Sequence, residues 1–470
     1  MINGMARRPH AEASSKVRRL APVVAAASTS RRSSQRQRLL GAITDLAIRD
    51  GFTAVTVGQV IARAGVSRAT FYEYFIDLEA CFAAALAPIR RRLLAGIRSS
   101  VASDRVEHAT LRATHALFTF ASSRPAKARL LMNDSLTGGS RLRSVRDELI
   151  DAAAAIVEDA HARAGSGASI PDLPPRLLIG TSCRLIASQL YEDESRLQGL
   201  HEQFLGWMAA FEAPVARHRW QTLAALPPAP RSPFLAPGAL CAPSALIGSR
   251  ARKVGALAEN HWSRIVFATA EVVRRDGYSA ATVARITEAA GVDARAFYRL
   301  FACKRQALAG GCELLFRHAM AAAAGAFVAG EDWPERLWEA ARALTQYADG
   351  NPTLTYVALV ESHTGSASAM RRAEGLTHAF TIFLQDGFAH LHGDSRGAVA
   401  QPSELALEAI SAAVFELAYR HAREDAQVPL STLLAPIVFL SLAPFLGADA
   451  ASDFVCRATP HAQRQLANAA

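Results

Sequence analysis

What this chain has little of narrows the field first. Its six cysteines in 470 residues are Cys81, Cys183, Cys241, Cys303, Cys312 and Cys456. They lack the paired spacing of a metal site, and reduced thiols in a cytosolic protein are expected. There is no P-loop, no Gly-x-Ser-x-Gly elbow and no convincing set of metal ligands, since His390 and His392 lack a third partner. An enzyme is set aside on that ground, and no catalytic residue, metal or cofactor is expected. The N-terminus carries arginines without the apolar core of a signal peptide. The most membrane-like run, Leu433 to Leu446, is too short for a span, contains Pro436 and Pro444, and reads as a buried helix.

Half the residues are apolar, and Ala, Leu and Arg dominate. That composition favours an all-α soluble protein, and the length allows about two to four domains. The net charge is +10 and the pI near 9.7. A basic balance fits a polyanionic partner and is silent on fold.

The most informative stretch is Thr56 to Phe75, TVGQVIARAGVSRATFYEYF. Thr56, with Gln59 three residues on, spells a capping box. Val57, Val60 and Ile61 recur at helical spacing. Gly65 stands where the chain must turn, because glycine accepts positive φ without steric cost. Ser67 is placed to cap a second helix running through Phe75. Helix, glycine turn, helix is the helix-turn-helix pattern, whose second helix enters the DNA major groove. At about 100° per residue, Phe71 and Phe75 mark the inner side of that helix. Ala69, Thr70 and Glu73 point outward, flanked by Arg68 and Tyr72. Arg68 is then placed for guanine O6 and N7, and Thr70 and Tyr72 for phosphates. The plain alternative is a solvated helix face.

This stretch resembles the DNA-binding unit of the tetracycline-repressor (TetR) family. The resemblance is carried by Asp50-Gly51-Phe52, Thr56-Val57, Ala64-Gly65-Val66-Ser67, Thr70-Phe71-Tyr72 and Tyr74-Phe75. One departure stands at Leu78, where the family usually has a lysine that touches phosphate. The resemblance implies a three-helix DNA-binding domain followed by a helical ligand-binding and dimerisation domain. It further implies paired recognition helices about one DNA turn apart, a small-molecule pocket, release of DNA on ligand binding, and repression rather than activation. Scattered side chains that could line such pockets are His108, His115, Trp207 and Trp220, or His363, His378 and Trp338.

In chain order, residues 1–31 form a basic segment too poor in apolar residues to fold, either an arm on DNA or a solubilising tail, with Met5 a second candidate start. A helix over about 34–50 follows, with Leu39, Leu40, Ile43, Leu46 and Ala47 on one side and Gly51 ending it. Helical sequence then runs on, broken near Pro125, at Gly138-Gly139 and over 165–175. Helices at about 176–193 and 199–213 close the first half. Residues 226–252 read as a proline-rich linker. About 30 residues separate the flanking helices, a reach of roughly 90–100 Å at ~3.3 Å per residue.

After the linker the pattern begins again. An offset of 226 places Asp276-Gly277-Tyr278 on Asp50-Gly51-Phe52, and Ala290-Gly291-Val292 on Ala64-Gly65-Val66. An offset of 227 places Asn351-Pro352 on Arg124-Pro125 and Pro402 on Pro175. The chain therefore reads as two tandem copies of one two-domain protein. The expected domains are 32–92 and 253–318 for DNA binding, with 93–225 and 319–460 for ligand binding and dimerisation.

The second copy places Asp293 at the Ser67 position and Ala294 at that of Arg68. Arg295 and Arg299 stand outward one turn apart, and Lys304 restores the basic residue absent at Leu78. The candidate DNA-binding set is Thr56, Ser67, Arg68, Ala69, Thr70, Tyr72 and Tyr74, with Thr282, Arg295, Tyr298, Arg299 and Lys304. The second unit either reads DNA with a different preference or is vestigial, leaving its half as a sensor and dimerisation scaffold in a dimer of chains. An internal pseudo-dimer is geometrically allowed, with helices at about 199–213 and 430–446 at its interface and 176–193 and 403–425 beside them. The expected partners are double-stranded DNA and a small-molecule effector, with no membrane. The expected location is the bacterial cytoplasm, on the nucleoid when DNA is bound.

Overall fold

The computed structural model describes residues 33–102, 108–163, 169–192, 197–214, 218–233, 235, 256–364, 375, 378–387, 404–424 and 428–459. The basic segment, most of the linker, Cys241 and the His390–His392 pair lie outside these residues. Within them the fold is all-α, with one exception that nothing in the sequence pattern announced. Ser169–Pro171 (β1) pairs antiparallel with Glu212–Pro214 (β2). Contacts divide the chain into two compact units, residues 1–88 and 89–470.

The first unit begins with α1 over 33–50, followed by a 3-10 turn at Phe52–Ala54. Then come α2 (Val57–Ala64), α3 (Arg68–Tyr74) and the start of α4 (Leu78–Val101). The expected apolar stripe of α1 is buried at Leu39, Ile43, Leu46 and Ala47, while Leu40 is half-buried. It closes on Val60, Phe71, Phe75 and Phe82, each fully or nearly fully buried. Phe52 stacks on Phe82 at 4.4 Å between centroids. Burial of each such ring is worth about 1.5–3 kcal/mol.

The second unit contains the remainder of the first half, beginning with α5 (Ala109–Ser123) and α6 (Pro125–Arg129). The latter runs into a π-turn at Leu130–Asp134. After α7 (Ser140–His161) come α8 (Pro175–Glu192), α9 (Leu197–Ala209) and α10 (Arg219–Ala224). The breaks fall where Pro125, the Gly138-Gly139 pair and the 165–175 region predicted them. The second half opens with α11 (Ala256–Asp276), α12 (Val283–Ala290) and α13 (Ala294–Leu300). It continues with α14 (Lys304–Phe327), α15 (Trp333–Asp349) and α16 (Pro352–Tyr356), and a π-turn at Val357–Glu361. Last come α17 (Glu404–Glu424), α18 (Leu434–Leu446) and α19 (Ala448–Ala458).

The duplication is visible in backbone detail. Each of α12 and α13 starts and ends 226 residues after α2 and α3. Gly51 and Gly277 both have φ 79°, and Gly65 and Gly291 have φ 61° and 59°. The two π-turns recur at the offset of 227. A feature as uncommon as a π-turn, kept at one register in both copies, is independent evidence of repetition.

The two halves pack against each other inside the second unit. The heart of this packing is α8 against α17, with α9 also lying on α17. The sequence placed α9 and α18 at the centre and α8 and α17 beside them; the structure reverses that weighting. The apolar body of α18 is covered mainly by α19, α15 and α17 of its own half, and it meets the first half at α10 and where Phe439 packs on Phe211 at 5.6 Å. Beside this crossing, buried ion pairs join α7 of the first half to α17 and to the second π-turn. Arg146 Nη2 donates to Glu416 Oε2 at 2.7 Å, and Arg143 Nη2 to Glu361 Oε1 at 2.5 Å. These four side chains have at most 3% of their surface exposed. Outside them, Arg420 meets Asp151 at 2.9 Å, Arg423 meets Asp147 at 2.7 Å, and Arg176 meets Glu424 at 2.5 Å. Gly180 permits the approach, because a Cβ there would lie 2.7 Å from the Glu416 side chain. The first stretch of the linker is also tied down: Gln346 on α15 donates to the carbonyls of Ala229 and Pro230 and accepts from Ser232 N.

Burial alone would raise the Glu416 carboxyl, but the charge and hydrogen bond of Arg146, with Arg184 and Arg420, hold it down at about 2. The folded value lies below the ordinary 4.5, so its stabilisation is complete above pH 4.5 and is lost as pH falls toward 2. Glu416→Gln leaves buried Arg146 only the more distant carboxylate of Asp147, at 3.7 Å, and is expected to cost about 3–5 kcal/mol, read as a lowered urea midpoint. The same variant should flatten the acid limb of stability between pH 4.5 and 2 relative to wild type.

Candidate nucleic-acid interface

Each helix-turn-helix is held by its own caps. In the first copy Thr56 accepts from Gln59 N, and Gln59 Oε1 accepts in return from Thr56 N at 2.8 Å, completing the capping box. In the second, Thr282 accepts from Arg285 N at 3.3 Å; with arginine at the third position the reciprocal bond is absent, and Arg285 pairs with Asp276 instead. Gly65 and Gly291 take the left-handed turn that L side chains rarely adopt. Ser67 Oγ accepts from Thr70 N at 3.0 Å, and Asp293 Oδ1 from Ala296 N at 2.6 Å. The serine-to-aspartate change therefore keeps the cap and adds a negative charge at the helix start.

On α3 the outward side is as the spacing required. Arg68, Ala69, Tyr72 and Glu73 are exposed, and Phe71 and Phe75 are inside. The Arg68 guanidinium lies 6.0 Å from the centre of the Tyr72 ring. Thr70 is half-buried, its hydroxyl 2.9 Å from that of Ser67. Tyr74 is used differently: its hydroxyl donates to Gln35 Oε1 at 3.2 Å and ties α3 to α1. On α13, Arg295, Tyr298 and Arg299 are exposed together, with Phe297 and Phe301 buried behind them. Neither Arg295 nor Arg299 has an ion pair among the described residues.

Lys304 is where geometry adds most to the sequence. Its ammonium donates to Tyr278 O at 2.7 Å and Ala281 O at 2.6 Å, and sits 4.4 Å from the centre of the Tyr278 ring. Burial lowers its pKa from the ordinary value. The ammonium clasps the turn before α12, so it holds the second unit together whether or not it also meets phosphate. Sequence reasoning missed Arg264, whose Nη2 donates to Gly291 O at 2.8 Å across the turn between α12 and α13. No local motif marks a contact from one helix to a distant turn carbonyl.

A cavity of about 180 Å³ lies in the second half among α14, α15, α16, α17 and α18. Its walls include Phe316, Met320, Leu344, Leu359, Phe415 and Ile437. The histidines and tryptophans proposed as lining residues do not line it. His363 is buried and set edge-on to Phe415, His115 faces His201, Trp207 packs between Phe204 and Phe211, and Trp338 is buried. Among the described residues no group of His, Cys, Asp or Glu could hold a metal ion, and no helix is long and apolar enough to cross a membrane.

Residues 39–85 and 265–309 each match the family of bacterial regulatory proteins, tetR family. Among solved structures, a protein from Shewanella sp. PV-4 assigned to that family is 16% identical, covers 38% of this chain and 98% of that one, and has a TM-score of 0.31. A tetR-family transcription regulator from Marinobacter aquaeolei VT8 is 24% identical, covers 36% of this chain and 87% of that one, and has a TM-score of 0.29. No curated protein matches.

Loss of a capping hydroxyl costs about 1 kcal/mol. Thr56→Ala is accordingly expected to speed amide exchange across the first turn of α2 by roughly fivefold. Unchanged exchange there would show that the cap contributes nothing.

Proposed function

We propose that this tetR-family regulator, with its DNA-binding unit in duplicate, presents both recognition helices to one DNA duplex as an intramolecular pseudo-dimer. The observation that carries this reading is the buried α8–α17 interface, which joins the halves of one chain as separate subunits would be joined. The outward sides of α3 and α13 support it, since arginines without an ion pair among the described residues and exposed tyrosines suit base edges and phosphates. So does the net charge of +10. On this reading 32–92 and 253–318 are the DNA-binding domains, and 93–225 and 319–460 the effector and pairing domains. Residues 226–252 are the linker and 1–31 a basic arm.

The regulator acts as a repressor in the cytoplasm and associates with the nucleoid when bound. A small apolar molecule entering the second-half cavity favours a DNA-incompetent state, which requires only that it bind that state more tightly. The cavity wall carries the signal outward. Phe415 lines the cavity, and the Arg184 guanidinium of the first half lies 3.8 Å from the centre of its ring. No catalytic step enters this account.

A second reading has its own support. Asp293 puts a carboxylate at the start of α13, and Lys304 is engaged with carbonyls. Under it the first unit alone reads DNA, and two chains supply two reading heads.

DNA titration of wild type, Arg68→Ala and Arg295→Ala/Arg299→Ala on the upstream region of its own gene separates the two. An arginine–guanine contact is worth about 1–3 kcal/mol, so the pseudo-dimer predicts a loss of that order in both variants. Loss in Arg68→Ala alone supports the second reading. Sites selected from random DNA should be imperfect palindromes or non-palindromic, because α3 and α13 present unlike side chains; a perfect palindrome contradicts the pseudo-dimer.

A further inference from the structure

The two copies differ in the space around their effector domains, and the difference follows the repeat offset. Three small residues on the wall of the second-half cavity are Ala319, Thr345 and Ala358. At the matching positions of the first half stand Leu93, Phe118 and Leu131. All three are buried, at 1%, 3% and 0% exposure. The Phe118 ring packs on His201 at 5.1 Å and Phe204 at 6.0 Å, inside the helical layer that closes this domain. Phe316 on the cavity wall is replaced by Arg90, which reaches out to an ion pair with Glu148 on α7. The exchange runs the other way at Phe415, matched by the half-exposed Ser188, and by smaller steps at Val414 and Thr355, matched by the buried Ala187 and Ala128.

From these positions we infer that the chain takes one apolar effector, in the second half, and that the first half has filled the corresponding space with its own side chains. The inference rests on the reading of the second-half cavity as the effector site. Among the described residues no charged side chain lines that cavity. Its polar atoms are few, and the Thr345 and Thr355 hydroxyls already donate to the carbonyls of Ala341 and Ala348. An ionised ligand would be buried there without a partner, which is costly. The occupant is therefore neutral and largely hydrocarbon. An apolar cavity of about 150 Å³ suffices for a benzene ring, so one of this size suits one or two fused or linked rings. One site per chain makes the response to effector non-cooperative within a chain, unlike a symmetric dimer with two equal pockets.

The neutral fluorophore N-phenyl-1-naphthylamine, titrated into the full-length chain, tests this. The expected stoichiometry is one per chain. Ala358→Leu/Thr345→Phe, which copies the first half's side chains into the cavity, should weaken uptake by roughly tenfold or more. The reverse pair, Leu131→Ala/Phe118→Thr, should raise the stoichiometry to two. Circular dichroism on each variant establishes that it is folded, and a variant that fails to fold is replaced by its single-substitution components. Two probes per chain in the wild type, uptake unaffected by filling the second-half cavity, or no uptake at all would each overturn the inference. DNA titration of the same samples keeps the two conclusions apart. Wild type that binds DNA but takes two probes refutes the single site only, whereas wild type that takes one probe and binds no DNA refutes the regulatory reading.

Discussion

Two guanidiniums and two carboxylates are taken out of water where α7 meets α17 and the second π-turn, and the organisation of the larger unit depends on their meeting. Arg143 and Arg146 come from the first half; Glu361 and Glu416 come from the second. Desolvating such groups is expensive, and a well-packed apolar contact would often be as stable. What the ion pairs add is selectivity, since a guanidinium buried against anything but its carboxylate is heavily penalised. The surrounding pairs, Asp147 with Arg423, Asp151 with Arg420 and Arg176 with Glu424, extend the same matching to the rim. These pairs run from largely buried, as in Asp147 with Arg423, to exposed, as in Arg176 with Glu424, and the exposed one contributes little energy by itself. Their role is register, fixing how α7 and α8 lie along α17.

The same crossing brings the effector cavity close to the first half. One face of α17 supplies Ser411, Val414, Phe415 and Ala418 to the cavity, and another supplies Glu416 and Arg420 to the ion pairs. The second π-turn is similarly placed, with Ala358 and Leu359 on the cavity wall and Glu361 in the pair with Arg143. A shift of either element on filling the cavity displaces a carboxylate that the first half depends on. Packed interiors respond to such a shift by changing partners rather than by stretching. His363 lies in the same place, its pKa pushed well below the ordinary value by burial and by the charges of Arg184, Arg146 and Arg143. It remains neutral beside the guanidiniums and does not add to their charge.

The helix-turn-helix units were legible in the sequence because everything that defines them is local. A cap and its partner lie three residues apart, and a glycine with positive φ follows a helix directly, so Thr56, Gln59, Gly65 and Ser67 could be assigned roles without tertiary information. The repeat was legible for a similar reason: a fixed offset needs no coordinates. The ion pairs were not, because Arg143 and Glu361 are 218 residues apart and Arg146 and Glu416 are 270 apart. On its own helix each arginine resembles a solvated residue. Lys304 was read by analogy as a phosphate contact, and only the positions of the Tyr278 and Ala281 carbonyls reveal its clasp. The cavity was the least legible feature, since it is a volume left over by five helices and is defined by small side chains such as Ala319 and Ala358 rather than by any conspicuous residue.

The interface that α7 and α8 make with α17 and the second π-turn distinguishes halves, but it does not distinguish chains. A first half is complementary to any second half, whether or not one polypeptide joins them, and two first halves matched at the repeat offset would set Arg146 opposite Gln189 in place of Glu416. Two molecules could therefore exchange halves reciprocally and satisfy every ion pair of the closed form. Only the connecting segment separates the two outcomes, by keeping the high local concentration of its own partner. The hydrogen bonds of residues 229–232 to Gln346 tie the start of that segment to the second half. Domain exchange is thus a topological alternative built into this protein, and the choice between it and closure lies with the tether, outside the interface itself.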